Sequence, residues 1–242
     1  MEAVTLLVNL TLVGRLNQEV NEIIYRGRLI ALKKKDGGLR LIAIGYTLRR
    51  LAAKCANKYA IAKLASHFAS IQLEVSTPGG AEAAIHAVRR YAENFPKDYI
   101  IVKLHFKNAF NTLRRDTMLE AIRSGLPDVY NFTSATYNGA PVLQFGEFTI
   151  LSAKGPQQGD SLSSAEFCLA IYPLLKVLIS ELKVGYLDDV TLSGSRQIVV
   201  NDIKTIISKS EELSLEENAA KCEVTYGDTS TPHDDFEDLS AH

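Results

Sequence analysis

The sequence predicts an α+β fold in which a central antiparallel sheet is flanked by helices. Three observations support this prediction: apolar runs of strand length, turn signals that join neighbouring runs into hairpins, and longer segments of helical periodicity between them. Runs that join as hairpins give antiparallel strands, whereas a doubly wound parallel sheet needs a helix between successive strands. The sequence therefore favours α+β over a doubly wound fold.

The first half of the chain combines helices with one basic hairpin. Residues 2–26 have a mixed helical pattern, and two short strands follow at 28–32 and 39–44. Asp36-Gly37 between them is a strong hairpin signal, and the tip is rich in lysine. Thr47 can cap a long helix, whose apolar positions recur at three and four residues. These positions are Leu48, Leu51, Cys55, Tyr59 and Ala62.

After Pro78-Gly79-Gly80 the pattern gives the remaining elements in order. They are a helix near 81–94, a largely apolar central strand at 99–104, a helix near 114–123, a hairpin around Gly146 within 141–152, a loop at 155–160, a helix from Ser161 or Ser163 to Leu178, a hairpin at 183–194, a helix near 197–213 and a strand at 222–226. The acidic segment from Gly227 to the last residue is expected to be disordered.

Composition restricts the class of protein. The 242 residues are enough for one or two domains, and the formal net charge is −1. Residues 1–60 carry eleven Lys/Arg against four Asp/Glu, which is typical of a polyanion partner, although a solvated basic face is the alternative. Three widely spaced cysteines argue against a zinc or disulfide framework.

No apolar run has the length of a membrane span, and the N-terminus lacks the basic region of a secretory signal. We therefore expect an intracellular protein, nuclear or cytoplasmic, that is neither secreted nor membrane-embedded.

Asp188 and Asp189 are the most informative residues of the chain. Apolar residues flank them on both sides, which predicts two short buried strands with the acids at the bend. A carboxylate pair on a tight hairpin can hold a divalent metal for phosphoryl-transfer chemistry. A solvated Asp-Asp turn is the alternative that the pair alone leaves open.

Five segments in fixed order identify a family. They lie at residues 28–40, 103–111, 158–162, 186–189 and 215–223. Together they resemble the reverse transcriptase domain of non-LTR retrotransposons over roughly residues 5–226. The resemblance implies a right-hand polymerase core with fingers at 1–98 and palm at 99–226, followed by the acidic tail at 227–242. It also leads us to expect that the chain ends before a thumb.

The resemblance implies two-metal nucleotidyl transfer with Mg²⁺, or Mn²⁺, held by Asp188 and Asp189. His105 departs from the pattern because it occupies the position of the family's first catalytic aspartate. An imidazole supplies no negative charge and suits Mg²⁺ poorly. We therefore expect His105 to be an ordinary strand-end side chain, metal binding to be weakened, and activity to be weak or absent.

The resemblance also implies roles for six residues that bind substrate and for one proton donor. Lys33 or Lys35, with Arg40, would close over the triphosphate; Phe110 would stack under the incoming sugar; Gln158 and Gly159 would contact template and nucleotide; and Lys221 would protonate pyrophosphate. The partners implied are an RNA or DNA primer–template and a dNTP. The alternative for Lys33, Lys35 and Arg40 is surface charge at the hairpin tip, and the alternative for Phe110 is core packing. Gln158 and Gly159 could instead form a plain turn, and Lys221 could be a solvated lysine.

Two further readings remain open. The chain could be a non-catalytic remnant that binds nucleic acid, or an interaction protein that keeps only the fold. A polymerase that makes RNA is disfavoured, because a bulky Phe110 in the family's position would clash with a ribose 2′-hydroxyl.

Overall fold

The predicted strands and helices occur in the predicted order. The structure, a computed structural model, describes residues 2–35, 37–75 and 77–227. Its strands are β1 Gly27–Lys33, β2 Leu39–Gly45, β3 Tyr99–His105, β4 Val142–Phe145, β5 Phe148–Leu151, β6 Leu182–Tyr186, β7 Asp189–Ser195 and β8 Glu223–Tyr226. Its helices are α1 Glu2–Leu12, α2 Gln18–Ile24, α3 Thr47–Phe68, α4 Gly80–Ala92, α5 Ala109–Thr112, α6 Arg115–Gly125, α7 Tyr130–Tyr137, α8 Ser163–Lys176 and α9 Arg196–Glu212.

The chain divides into two units, which are described separately. The first unit holds the residues up to Leu64 together with Phe110–Ala170, and the second holds Ala65–Ala109 and the residues from Ile171 onward. Each unit contains one four-stranded sheet. The α+β prediction is confirmed, but the strands form two sheets where the sequence suggested one.

The sheet of the first unit has the strand order β2-β1-β4-β5. Its pairs are antiparallel except β1 with β4, which run parallel for two residues. Leu29, Ala43 and Leu143 form a buried cluster on one face of this sheet. The basic hairpin is present as predicted, although Asp36 of its turn lies outside the described residues.

The N-terminal segment, for which the sequence predicted a mixed helical pattern over residues 2–26, forms two helices. Gly14 has a left-handed φ of +65°, and Asn17 caps α2 by accepting a hydrogen bond from Val20 N at 2.9 Å. The helix α7 was not predicted at all. Four of its eight residues are buried, and two of these, Thr133 and Thr136, are polar, so it lacks an amphipathic pattern.

The sheet of the second unit has the order β6-β7-β3-β8, and every pair is antiparallel. β3 lies between two neighbours and buries Ile100, Val102 and Leu104, which confirms the predicted central strand. α9 packs its apolar side against this sheet through residues such as Val199 and Ile203, both buried.

Two parts of the predicted organisation remain predictions. The boundary at residue 98 between fingers and palm is a functional division. The division of the chain into two compact units does not test it. Most of the acidic tail, residues 228–242, lies outside the described residues. Within the described ranges, no helix combines the length and the hydropathy that crossing a bilayer requires.

Candidate functional site

The pairing of β3, β6 and β7 places three side chains at one end of the second unit's sheet. His105, the last residue of β3, lies opposite Asp189, the first residue of β7. Asp189 also pairs with Tyr186 of β6, so Leu187 and Asp188 form a two-residue hairpin turn. Leu187 has a left-handed φ of +56°, as tight hairpin turns require. The predicted acid-pair hairpin is therefore present.

Gln72 holds this turn in place. Its side chain is fully buried, its Oε1 accepts a hydrogen bond from Leu187 N at 3.0 Å, and its Nε2 donates to Leu187 O at 3.3 Å. The neighbouring backbone is held as well, because Leu73 N donates to Gly185 O at 2.9 Å. Sequence reasoning missed Gln72, since a glutamine in a segment without periodicity carries no local signal.

The imidazole of His105 lies between the two aspartates. Its Nδ1 is 2.9 Å from Asp189 Oδ1, which is hydrogen-bond distance, and its Nε2 is 3.8 Å from Asp188 Oδ2. The side chains of His105 and Asp188 are each about one-quarter exposed, so the group is accessible from solvent. His105 thus contacts one of the two carboxylates that the sequence analysis predicts as metal ligands.

The residues present do not fit a two-metal site. Such a site uses carboxylate oxygens that bridge the ions, and here the third group is a nitrogen donor without negative charge in its neutral form. One oxygen of Asp189 already has an imidazole partner at 2.9 Å. Across the described residues, no group of three His, Cys, Asp or Glu side chains is arranged to hold a metal ion.

The segment after α9 lies against the end of β3. Asn218 N donates to His105 O at 2.7 Å, and Lys107 N donates to Glu216 O at 2.7 Å. Asn218 also begins the short 3₁₀ turn Ala219–Lys221, in which Lys221 is exposed. The fold therefore brings the Lys221 turn to the same strand end as His105.

Gln158 and Gly159 belong to a loop that contacts β2 in the first unit. Gln158 O accepts a hydrogen bond from Ala43 N at 2.7 Å. Gly159 has a φ of +112°, and a Cβ there would lie 2.9 Å from Ala43 O. The close approach of two backbone segments explains the glycine.

A buried polar network anchors this loop. Arg49 is fully buried, and its guanidinium donates to Gln157 Oε1 at 2.6 Å and to Asp160 Oδ2 at 2.7 Å. Gln157 N in turn donates to the hydroxyl of Tyr137 at 3.0 Å. Sequence reasoning did not single out Arg49, because a basic residue on a helix is normally solvated.

Glu166 extends the network with an unusual carboxyl group. It is buried, and its oxygens contact the hydroxyls of Thr133 and Tyr137, each at 3.2 Å. Burial, followed by the negative charge of Asp160, raises the pKa of Glu166 to about 8. Glu166 thus places a carboxyl group with a raised pKa in the core beneath the loop.

The remaining predicted residues of the first unit occupy separate positions. Phe110 is half-buried and its ring stacks on Phe167 with centroids 4.6 Å apart. Lys33 pairs with Leu39 and Arg40 pairs with Leu32, so Lys33 and Arg40 lie on opposite faces of the hairpin. Lys35 is exposed near the tip. The hairpin as it stands does not direct Lys33 and Arg40 to one ligand.

An antiparallel sheet that carries an acid-pair hairpin at one end is typical of a template-directed polymerase core. A model of the family "Reverse transcriptase (RNA-dependent DNA polymerase)" matches residues 32–236. The chain belongs to this family. The prediction of a reverse transcriptase domain from a retrotransposon-related family is confirmed.

Particular relatives agree with this assignment. The chain is 26% identical over 219 residues to the retrotransposable element SLACS 132 kDa protein of Trypanosoma brucei gambiense, covering 86% of this chain and 18% of that protein. It also resembles apo telomerase of Candida tropicalis truncated from its C-terminal domain (TM-score 0.65, 14% identity, 86% of this chain and 51% of that chain). A telomerase of Candida albicans in complex with a fragment of telomeric RNA gives a TM-score of 0.65 at 14% identity, with 90% and 45% coverage.

The chain spans about half the length of these telomerase chains and less than a fifth of the retrotransposon protein. At such identities, the likeness to the telomerases concerns the fold alone.

Proposed function

We propose that this chain is a fingers-and-palm reverse transcriptase domain of non-LTR retrotransposon type in which nucleotidyl transfer is weak or absent. One observation carries the proposal: His105 stands at the end of β3 opposite Asp189 and contacts its carboxylate at 2.9 Å. By resemblance, an aspartate in this position completes the family's carboxylate set. The chain offers two carboxylates where two-metal chemistry needs three.

The role of each group follows from its chemistry. Asp188 and Asp189 are the oxygen donors that would hold Mg²⁺ or Mn²⁺, which supplies Lewis-acid stabilisation to phosphoryl transfer. His105 lowers the affinity for such a cation in either protonation state. A neutral imidazole adds no negative charge, and an imidazolium repels the ion.

Primer extension tests the proposal directly. We expect the unmodified chain to incorporate little or no dNTP on a primed RNA template with Mg²⁺ or Mn²⁺. His105→Asp should raise incorporation more than about tenfold, which is about 1.4 kcal/mol of transition-state stabilisation. His105→Asn is the matched control, because it has the size of aspartate without the charge, and it should not raise incorporation.

Two outcomes would contradict the proposal. Robust incorporation by the unmodified chain would show that His105 is compatible with catalysis. An equal gain from His105→Asp and His105→Asn would show that removing the imidazole matters and the third carboxylate does not. The double variant His105→Asp with Asp188→Asn checks that any gained activity depends on the acid pair.

A second candidate function is nucleic-acid binding without catalysis. The excess of seven positive charges over residues 1–60 favours it, since basic surfaces bind polyanions. Such binding should weaken steeply with rising salt because it depends on counterion release. Absent or salt-independent binding of RNA and of DNA would exclude this candidate.

A further inference from the structure

The outer edge of the first unit's sheet is apolar and exposed. β5 is the last strand in the order β2-β1-β4-β5, and all four of its residues are exposed. Phe148 is 73% exposed, Ile150 is 45% exposed and Leu151 is 63% exposed. We call the outer side of this strand the β5 edge. The proposed nucleotidyl transfer does not use it.

The β5 edge lacks the usual protection of an outer strand. Proteins protect such strands with lysine, proline, a bulge or a covering segment, because free N–H and C=O groups can pair with another chain. β5 contains neither lysine nor proline, and its register with β4 runs without a bulge from Leu151 to Phe148. At the opposite edge of the sheet, by contrast, Ala43 N of β2 already donates to Gln158 O at 2.7 Å. The β5 edge is therefore open where the β2 edge is partly covered.

The hydrogen bonds to β4 determine which backbone groups the β5 edge presents. Ser152 N, directly after β5, donates to Pro141 O at 3.0 Å. Successive residues of an antiparallel strand direct their backbone groups to opposite sides, so the even-numbered residues of this strand face β4. Thr149 and Leu151 therefore direct their N–H and C=O groups outward, where a further strand can pair with them.

The sequence of β5 is complementary to itself across a two-fold axis at Thr149. In an antiparallel pair of two copies, Thr149 lies opposite Thr149 of the second copy, and Phe148 lies opposite Ile150 of the second copy. Threonine pairs and pairs of an aromatic with a β-branched residue are favourable cross-strand contacts.

The charges also allow this pairing. Glu147, in the turn before β5, lies opposite Leu151 of the second copy, four residues along the strand from the other Glu147. Four residues separate the two carboxylates by about 13 Å. This exceeds the Debye length of about 8 Å at physiological ionic strength, so no like charges oppose one another.

We propose that the β5 edge pairs with β5 of a second copy of this chain, so that two four-stranded sheets join into one across a two-fold axis. The interface consists of one short strand from each copy, so association depends on protein concentration and is weaker than in an obligate dimer. The inference does not rest on the proposed function, because the proposed catalysis uses no residue of β5.

Sedimentation equilibrium of the full 242-residue chain tests the inference. Nuclease treatment beforehand removes nucleic acid that could bridge two copies. The mass should rise from one copy to two with increasing protein concentration and then stay constant. A single copy at every concentration would overturn the inference. Growth beyond two copies would also overturn it, because head-to-tail pairing of β5 with β2 leaves a free edge at each end and does not close.

Two variants of the β5 edge should weaken association at least about 10-fold. Thr149→Pro removes an outward N–H and keeps the hydrogen bonds to β4, since proline is tolerated on an edge strand. Phe148→Lys keeps the backbone unchanged and replaces an apolar contact with a charge. Leu6→Lys is the matched control, because Leu6 of α1 is 62% exposed and lies outside the sheet. It should change association less than about 2-fold, and circular dichroism verifies that each variant is folded. Equal association of the edge variants and the control would overturn the inference.

Cysteine cross-linking tests the register. In a Cys55→Ser background, which removes the exposed native cysteine, Thr149→Cys places two thiols opposite each other. Cα atoms of a hydrogen-bonded pair are about 5.5 Å apart, within the disulfide range of about 4.4–6.8 Å. Leu151→Cys is the control on the same face, since its two copies would be about 13 Å apart. Mild oxidation should link Thr149→Cys at least about 10-fold faster, and equal rates would overturn the two-fold pairing.

Discussion

Arg49 and Asp160 form an ion pair of 2.7 Å inside the first unit, although 111 residues separate them in sequence. Their side chains are 0% and 6% exposed, so neither charge is solvated by bulk water. The pair ties helix α3 to the loop that carries Gln158 and Gly159. The position of that loop therefore depends on a buried electrostatic contact as well as on apolar packing.

Breaking this pair from one side should be costly. Arg49→Met leaves the Asp160 carboxylate buried without its cation, and we expect the free energy of unfolding to fall by about 3–5 kcal/mol. Lys107→Met is the control, because it removes a lysine from an exposed pair with Glu216 and should cost less than about 1 kcal/mol. Urea denaturation measures both values. A similar decrease in the free energy of unfolding in the two variants would show that burial does not make the Arg49–Asp160 pair more costly to break than an exposed pair.

Glu166 should make stability fall with rising pH. Its pKa in the folded chain is about 8 against an ordinary value of 4.5, so between these values the folded state binds a proton that the unfolded state has released. The stabilising contribution is fully present below pH 4.5 and is lost as the pH rises through about 8. Glu166→Gln cannot ionise, and its free energy of unfolding should decline less over this window. Urea denaturation at a series of pH values measures the free energy of unfolding of the unmodified protein and of Glu166→Gln. If this free energy declined equally with pH in both, the raised pKa of Glu166 would be refuted.

Gln72→Met should loosen the hairpin that carries the acid pair. The variant keeps the size of the side chain but leaves Leu187 N and Leu187 O without their partner, at a cost of about 1–3 kcal/mol. Gln197→Met on the surface of α9 is the matched control, since Gln197 is exposed and its side chain donates to Asn201 Oδ1 in an exposed hydrogen bond. Hydrogen exchange at Leu187 and Asp188 should accelerate in the first variant and not in the second.

Gly155→Ala should destabilise the loop at 155–160, which carries Gln158 and Gly159, through a steric contact. A Cβ at Gly155 would lie 1.8 Å from Phe110 O, whereas a Cβ at Gly146 would meet nothing within 4 Å. Both glycines have nearly the same left-handed φ, at +56° and +58°. Gly146→Ala should therefore cost only the backbone strain of about 1–2 kcal/mol, and Gly155→Ala clearly more. Equal midpoints of thermal unfolding would show that the loop can move to accept the methyl group.

Local patterns explain which parts of the fold the sequence predicted well. The hairpin of β1 and β2, the central strand β3 and the helix α9 each have a clear period or turn signal within their own residues. The helix α7 and the separation into two sheets do not. The helix α7 has threonines at buried positions and so shows no amphipathic period, and the choice of sheet depends on contacts between strands far apart in the chain.

The candidate site divides in the same way. Residue identity and order are enough to predict the family, the acid pair Asp188-Asp189 and the presence of His105 where an aspartate is expected. The contact of His105 with Asp189, the hold of Gln72 on the turn and the pair of Arg49 with Asp160 beneath the loop are visible in the folded chain alone. Those contacts join residues distant in sequence, and burial sets their energies, which no local pattern records.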